Sequence, residues 1–227
     1  MLTSRNKEDY LIGTKNRTSM KKVLLVNGSP HAAGCTYTAL KEIADELAKN
    51  GIESEIVQVP YDIPACRDCR FCKRNGRCVT DDLVNDIGSR LDEFGAIVLG
   101  SPVYYASATG QICSFADRLF YSYSGRMAGK IGAAVVSCRR GGATATFDRL
   151  NKYFTICNMP VASSQYWNQV HGSRAEDVAQ DEEGLQTMRT LAANIAWIMR
   201  CIEAADRAGV PRPEYEAPMR TDFIRRS

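Results

Sequence analysis

Four cysteines stand within a stretch of thirteen residues, and their spacing is suited to holding a metal centre. The stretch is CRDCRFCKRNGRC, residues 66–78, with the pattern C-x2-C-x2-C-x5-C. Cysteine thiolates are the usual protein ligands of iron–sulfur clusters, and the first three cysteines share the spacing of a ferredoxin run. Gly76 allows the chain to turn so that the fourth reaches back. The pattern predicts one [4Fe–4S] cluster on Cys66, Cys69, Cys72 and Cys78.

Three other interpretations of this stretch stay open. Zinc sites made of four cysteines usually come as two separated C-x2-C pairs. A thioredoxin-like redox pair needs a helix N-terminus directly after a strand, whereas this stretch precedes its helix by several residues. The third interpretation leaves the cysteines as free thiols. A disulfide framework is disfavoured, because the total of nine cysteines is odd.

The same stretch is rich in positive charge, which bears on partners. Its basic residues are Arg67, Arg70, Lys73, Arg74 and Arg77. They can offset the negative charge of a cluster, dock an acidic electron donor such as a ferredoxin, or simply face solvent. A zinc knuckle that binds nucleic acid is disfavoured, since Phe71 is the one aromatic residue of the stretch and the net charge of the chain is only +3. We expect no nucleic-acid partner.

Composition argues against a membrane protein. The longest apolar runs, at 96–99 and 131–136, are far too short to span a bilayer. The first twenty residues contain no apolar segment of the kind found in secretory signals. We therefore expect a soluble cytoplasmic protein with no membrane partner.

The elements that must position these residues alternate along the chain. Strands are predicted at 22–27, 52–59, 96–99, 131–137 and 161–166, and helices at 38–49, 81–93, 111–120, 146–156 and 182–208. Short apolar strands that alternate with helices indicate right-handed βαβ units and a parallel sheet. The prediction is an α/β flavodoxin-like fold, a five-stranded parallel sheet of order 2-1-3-4-5 with helices on both faces.

One domain accounts for most of the chain. We predict it over residues 20–208, with a cysteine-rich loop at 64–80 that we call the cysteine loop. Residues 1–19 are predicted to be a disordered N-terminal tail and 209–227 a C-terminal tail, because both are polar or contain proline.

Three loops follow predicted strands at the edge where parallel sheets bind ligands. The loop at 28–38 combines hydroxyls and small residues with a helix N-terminus, which favours a phosphate. The loop at 101–107 offers an aromatic pair as a wall for a planar ring, and the loop at 137–144 pairs arginines with glycines that allow close approach. Neither the P-loop nor the dinucleotide fingerprint is present. The three loops together fit flavin mononucleotide, FMN.

The motifs VNGSPHAAGCTYTAL, GSPVYYAS and RRGG resemble the NADPH-dependent FMN reductase group of flavodoxin-like proteins. With the cysteine spacing added, the chain resembles the iron–sulfur flavoproteins over about residues 20–165. The resemblance implies that Ser29, His31, Cys35 and Thr36 face the FMN phosphate. It also implies the residues that face the isoalloxazine ring, namely Pro102, Val103, Tyr104, Tyr105, Ala106, Ser137, Arg139, Arg140, Gly141 and Gly142.

Two positions depart from the family pattern. His31 stands where arginine or lysine is common, and Cys35 where asparagine or serine is common. A neutral imidazole carries no charge and a thiol is a poor donor, so both changes should weaken phosphate binding. Further along the chain, Trp167 and His171 either cap the flavin or belong to a packed loop.

The resemblance implies an FMN-dependent oxidoreductase of the iron–sulfur flavoprotein type. Electrons would pass between the cluster, FMN and a small-molecule acceptor or a ferredoxin-like donor. The alternative is an NAD(P)H-dependent FMN or quinone reductase without a working cluster. The wide apolar face of the helix predicted at 182–208 suggests a homodimer or homotetramer.

Overall fold

A five-stranded parallel sheet forms the centre of the computed structural model, which describes residues 20–217, 219 and 221. The predicted tail at 1–19 and most of the last ten residues lie outside the described part. The elements in chain order are β1 (Lys22–Asn27), α1 (Cys35–Lys49), β2 (Ser54–Gln58), α2 (Phe71–Asn75), α3 (Leu83–Ser89), β3 (Phe94–Pro102), α4 (Gly110–Ser122), β4 (Ile131–Cys138), α5 (Ala143–Thr155), β5 (Gln169–His171), α6 (Ala175–Val178) and α7 (Glu182–Arg207).

The strand order is β2-β1-β3-β4-β5, and every neighbouring pair is parallel. This confirms the predicted flavodoxin-like sheet. Strands buried on both faces are continuously apolar because each face needs its own set of side chains. In β1, Val23 and Leu25 pack on one face, and Leu24 and Val26 pack on the other.

Helices cover both faces of the sheet, as the predicted βαβ connections require. On one face, α1 and α7 pack against each other and against the strands, with Leu40 and Ile195 in the shared core. On the other face, α3, α4 and α5 contribute side chains such as Ile87, Phe115 and Phe154. Within the described residues, no helix is both long and apolar enough to cross a membrane.

The predicted position of the fifth strand is wrong. The strand was expected at 161–166, but β5 lies at Gln169–His171, and Val161 forms only an isolated bridge to Gly132. Ser163 and Ser164 bond to α7 instead of to the sheet. The Ser164 hydroxyl donates to the carbonyl of Thr187, and the Asn194 amide donates to the carbonyl of Ser163.

Other element boundaries differ in smaller ways. The helix predicted at 81–93 ends at Ser89, and a 3-10 turn follows at Leu91–Glu93. The short helices α2 and α6 were not predicted, since five and four residues are too few for a helical pattern to show. The described part of the C-terminal tail, 209–217, contains no helix or strand.

Candidate functional site

A cleft of about 770 Å³ opens beside the carboxyl ends of β1, β3 and β4. The three loops named from the sequence meet there. Of the predicted cofactor-binding residues, those lining the cleft are Ser29, His31, Cys35, Thr36, Pro102, Val103, Tyr104, Ser137 and Arg139. The cleft also contains other residues of the predicted loops, which are Pro30, Ala32, Ala33, Gly34 and Cys138. Gly172, Ser173 and Arg174 line it as well, although they lie outside the three predicted loops.

One end of the cleft is built to hold an anion. Helix α1 begins at Cys35, and the preceding Gly34 has no side chain that could cap the first-turn N–H groups. The loop before it is held by its own bonds, because the His31 N–H donates to the Ser29 hydroxyl at 3.1 Å. The Ser29 N–H in turn donates to the Asn27 side chain at 3.1 Å. Free N–H groups at the positive end of a helix suit a phosphate.

Two buried hydroxyls connect the first and third loops. The hydroxyls of Thr36 and Ser137 lie 2.9 Å apart and share a hydrogen bond. The second loop is tied to the third as well, since the Val103 N–H donates to the carbonyl of Ser137 at 2.9 Å. The three loops therefore form one connected wall.

Cys35, the unusual thiol of the first loop, reaches across the cleft. Its sulfur lies 3.6 Å from the carbonyl oxygen of Gly172, within range for a weak S–H donor. Burial raises the pKa of the Cys35 thiol, and the nearby carboxylates of Asp177 and Glu176 raise it further. The thiol therefore keeps its proton at neutral pH and can donate it to Gly172.

The segment that Cys35 contacts brings a new cation to the cleft. Arg174 lines the cleft together with His31 and the rest of the first loop. It is exposed, and no carboxylate of the described residues forms a salt bridge with it. Arg174 can thus bring positive charge to this end of the cleft. It was not predicted from the sequence because residues 172–174 follow β5, whose position was predicted wrongly.

The second loop ends in a tight turn that presents an aromatic side chain to solvent. Tyr104 and Ser107 exchange backbone hydrogen bonds at 2.9 and 3.0 Å, and Tyr104 lines the cleft. Between them, Tyr105 and Ala106 have left-handed backbone angles, with φ of 48° and 57°. Tyr105 is fully exposed. Such angles are strained for residues other than glycine and cluster at functional sites.

Five predicted ring-facing residues do not line the cleft. They are Tyr105, Ala106, Arg140, Gly141 and Gly142. Gly142 instead supports the wall from behind, since its φ is 88° and a Cβ placed there would lie 2.8 Å from both Ala106 Cα and Val103 Cγ1.

The proposed caps from the distal loop are also absent from the lining. The Trp167 ring lies 4.7 Å from the Tyr166 ring in an edge-on arrangement, and it is 56% exposed. The backbone N–H of His171 donates to Asp181 at 2.7 Å. In this structure the residues after His171, rather than His171 itself, reach the cleft.

A second recess contains all four cysteines of the cysteine loop. Left-handed backbone angles at Asp68, Arg70 and Gly76, with φ of 47°, 56° and 67°, fold the loop back on itself. Cys66 and Cys69 are exposed, whereas the Cys78 side chain is buried. Arg118 of α4 also lines the recess, and sequence reasoning did not name it.

The donor set of this recess consists of four cysteine thiols. Among the residues that the structure describes, no three cysteine, histidine or acidic side chains converge closely enough to hold a metal ion. An iron–sulfur cluster distributes its cysteines over several irons, so four thiols around one recess fit its chemistry.

Comparisons with known proteins show the family of this chain. Residues 21–173 match the model of the NADPH-dependent FMN reductase family. An iron–sulfur flavoprotein of Methanocaldococcus jannaschii is 30% identical over 80% of this chain and 99% of its own length. One from Archaeoglobus fulgidus is 35% identical over 54% of this chain and 62% of its own length.

A solved structure confirms the fold alone, since its sequence identity is low. The flavodoxin, WrbA-like protein from Agrobacterium tumefaciens superposes with a TM-score of 0.59 at 16% identity, over 80% of this chain and 98% of its own. The family match, the identity to the archaeal relatives and the flavodoxin-like sheet lead to one conclusion. The chain belongs to the family of NADPH-dependent FMN reductases and iron–sulfur flavoproteins, which are flavin-dependent oxidoreductases.

Proposed function

We propose that this protein is an FMN-dependent oxidoreductase of the iron–sulfur flavoprotein type. In this proposal electrons pass between a [4Fe–4S] cluster on the cysteine loop, FMN in the cleft, and a small-molecule acceptor or redox partner. The observation that carries it is the gathering of all four loop cysteines around one recess in a chain that also has the flavin-type cleft.

In this proposal, different residues of the cleft bind the phosphate and the ring of FMN. FMN, when bound, supplies the redox chemistry, and the protein supplies position and charge. The N–H groups of the first turn of α1 and the Arg174 guanidinium favour the phosphate. Val103 and Tyr104 provide an apolar and aromatic wall for the ring. Arg139 places a positive charge at the cleft, where it favours a bound group that gains negative charge.

The residues that would hold the cluster are Cys66, Cys69, Cys72 and Cys78. Cys66 and Cys69 are exposed, Cys72 is half-buried and Cys78 is buried. A cluster on these four thiols would therefore lie near the surface, within reach of a redox partner. Soft thiolate ligands select iron–sulfur clusters or zinc over hard cations. The archaeal relatives named iron–sulfur flavoproteins support the choice of a cluster.

The test is to purify the protein anaerobically and measure iron, sulfide, zinc and flavin per chain. We expect about four iron and about four sulfide per chain, as in a cubane cluster, together with FMN. Replacing Cys69→Ser should remove the iron while FMN remains. The matched control is Cys201→Ser, which removes an exposed thiol on α7 outside the recess. Zinc in place of iron contradicts the proposal.

The basic surface of the cysteine loop favours an acidic electron donor of the ferredoxin type. Arg67, Arg74 and Arg77 are exposed beside the recess, and the Lys73 ammonium lies 4.2 Å from the centre of the Tyr121 ring. Steering by such charges weakens as salt rises. Reduction by a ferredoxin should therefore slow several-fold between low and physiological salt. A rate that is independent of salt argues for a small-molecule donor.

The second candidate is an NAD(P)H-dependent FMN or quinone reductase without a working cluster. The family model that the chain matches is named for NADPH-dependent reduction of FMN. Rapid bleaching of the flavin by NADPH or NADH in iron-free protein would establish this function.

The assembly and the cellular location are proposed on surface and cysteine chemistry. Trp197 is 66% exposed on α7, although the opposite side of this helix is fully buried in the core. We propose that this surface contributes to a homodimer or homotetramer. All nine cysteines are unpaired in the structure, which favours the reducing cytoplasm. Light scattering that gives the monomer mass at micromolar concentration contradicts the assembly.

A further inference from the structure

Arg118 is a buried charge that faces the cysteine recess. It lies on α4, is 2% exposed, and is the bulkiest of the fully buried side chains. A charged side chain in the core must find partners for its hydrogen-bond donors, because desolvation without them is very unfavourable. The partners of Arg118 therefore indicate what the residue does.

Every N–H donor of the guanidinium has an acceptor. Its Nη1 and Nη2 atoms hold the carboxylate of Asp82 in a bidentate pair, at 2.6 and 2.9 Å. The same two nitrogens donate to the carbonyls of Pro64 and Thr80, at the two ends of the cysteine loop, at 3.3 and 3.2 Å. The fifth donor, on Nε, points at the sulfur of Cys78 at 3.3 Å. A guanidinium has five donors, so none is left free.

The contact with Cys78 is held firmly from both sides. Asp82 is itself fixed as the N-cap of α3, where its carboxylate accepts the Val84 N–H at 3.0 Å. The backbone of Cys78 is fixed by Asn85, whose amide accepts the Cys78 N–H and donates to its carbonyl, both at 3.0 Å. Of the four cysteines, the sulfur of Cys78 is the one that contacts Arg118.

We infer that Arg118 is a positioning residue that donates a hydrogen bond to the Cys78 ligand and makes the cluster easier to reduce. The inference rests on the proposed function, since it requires a cluster in the recess. Reduction adds one electron without making or breaking a bond. A fixed N–H donor and a positive charge beside a sulfur ligand favour that added charge, because hydrogen bonds to sulfur and local charge set cluster potentials.

A purely structural role gives different expectations. If Arg118 only ties the ends of the loop together, its variants should lower cluster content without changing the potential of the clusters that form. The tuning role predicts that the potential changes, and in a direction that depends on the charge removed. Asp82 is the matched partner, because Asp82→Asn removes a negative charge beside the same guanidinium. Asparagine also caps helices as well as aspartate does.

The experiment is a redox titration of anaerobic protein with dithionite as the electron source, followed by electron paramagnetic resonance of the reduced cluster. For Arg118→Gln we expect the equilibrium constant for reduction to fall at least about tenfold, which is about 59 mV for one electron. For Arg118→Lys, which keeps the positive charge, the equilibrium constant for reduction should fall less. For Asp82→Asn, which removes a negative charge, the equilibrium constant for reduction should rise. If the equilibrium constant for reduction in Arg118→Gln is within threefold of the wild-type value, the inference is overturned.

A measurement on the wild type covers the case in which the variants take up no iron. Protein labelled with 15N in its arginines should show a guanidinium nitrogen coupled to the reduced cluster in pulsed resonance spectra, and the absence of that coupling overturns the inference. Wild-type protein without iron contradicts the proposed cluster itself, and the inference then falls with it. If Arg118→Gln protein contains the cluster and its reduction potential equals that of wild type, the inference is contradicted but the proposed cluster is not.

Discussion

The hydroxyl oxygens of Thr36 and Ser137 lie 2.9 Å apart in the cleft, although 101 residues separate them in the sequence. Thr36 stands in the first turn of α1 and Ser137 near the end of β4. Their hydrogen bond therefore joins the anion-binding end of the cleft to the loop that follows β4. Both side chains are almost completely buried, at 1% and 2% exposure, so the bond is shielded from water.

Breaking this pair should destabilise the protein even without a ligand. In Thr36→Val the shape is kept, but the Ser137 hydroxyl loses its partner, and the free energy of unfolding should fall by about 1–3 kcal/mol. Urea unfolding of the flavin-free protein measures the change. The double variant Thr36→Val with Ser137→Ala should lose less than the sum of the single variants. Additive losses would show that the two hydroxyls are not coupled.

Arg174 should contribute to binding the phosphate of FMN. Replacing Arg174→Ala should weaken FMN about five- to tenfold, since a charge-assisted contact near the surface is worth about 1 kcal/mol. Riboflavin has no phosphate, so its affinity should not change. Fluorescence titration of both ligands makes the comparison, with Arg207→Ala as a control that removes an exposed positive charge of α7. Equal weakening of both ligands contradicts a phosphate contact.

A side chain at Gly142 should destabilise the protein, whereas one at the neighbouring Gly141 should not. Alanine there meets a left-handed φ of 88° and a contact of 2.8 Å to the backbone of Ala106. We expect Gly142→Ala to cost about 1–3 kcal/mol of stability. The control is Gly141→Ala, because a Cβ at Gly141 has open space around it. Denaturant unfolding of both variants is the measurement, and similar midpoints would contradict the expectation.

Lys130 should give the stability a dependence on alkaline pH. Burial lowers the pKa of this ammonium from 10.5 to about 8, although it donates to the carbonyls of Leu91 and Phe94 at 2.7 and 2.8 Å. Between these two values the unfolded chain binds the proton more tightly than the folded protein. The free energy of unfolding therefore rises with pH across this window.

The size of the effect follows from the same shift. From pH 7 to 10 the contribution of Lys130 should rise by about 2 kcal/mol. Unfolding in denaturant at several pH values measures it against Lys130→Met, which has no charge to titrate. The difference between the two proteins should change steadily above pH 8. Parallel curves for the two proteins would rule out a depressed pKa at this position.

Most of the sheet was predictable because the sequences of buried parallel strands are continuous apolar runs. β1 and β4 agree with their predicted ranges to within one residue. β5 was misplaced because it is three residues long, and only Val170 of it is buried. It is placed by parallel pairing with β4, and the Asn168 amide adds a bond to the carbonyl of Ala134 at 3.0 Å. A local pattern does not contain that long-range information.

The two missed arginines differ in how visible they were. Arg118 stands on the buried face of α4, three residues after Phe115, so a charge inside an apolar helical stripe was a readable signal. Arg174 was hidden, because its importance follows from the position of β5. The loop residues that line the cleft were predicted better, since the ends of correctly placed strands determine where their loops go.

The contact between Cys35 and Gly172 joins residues 137 positions apart, and it sets when the cleft can be completed during synthesis. A ribosome-bound chain that has emerged only to β4 already contains the loop at 28–38, but not residues 172–174, which line the opposite side of the cleft. The same chain exposes the apolar face of α1, which α7 later covers. A chain that ends at β4 therefore lacks both one side of the cleft and the helix that covers α1, and its exposed apolar surface favours aggregation until α7 is made.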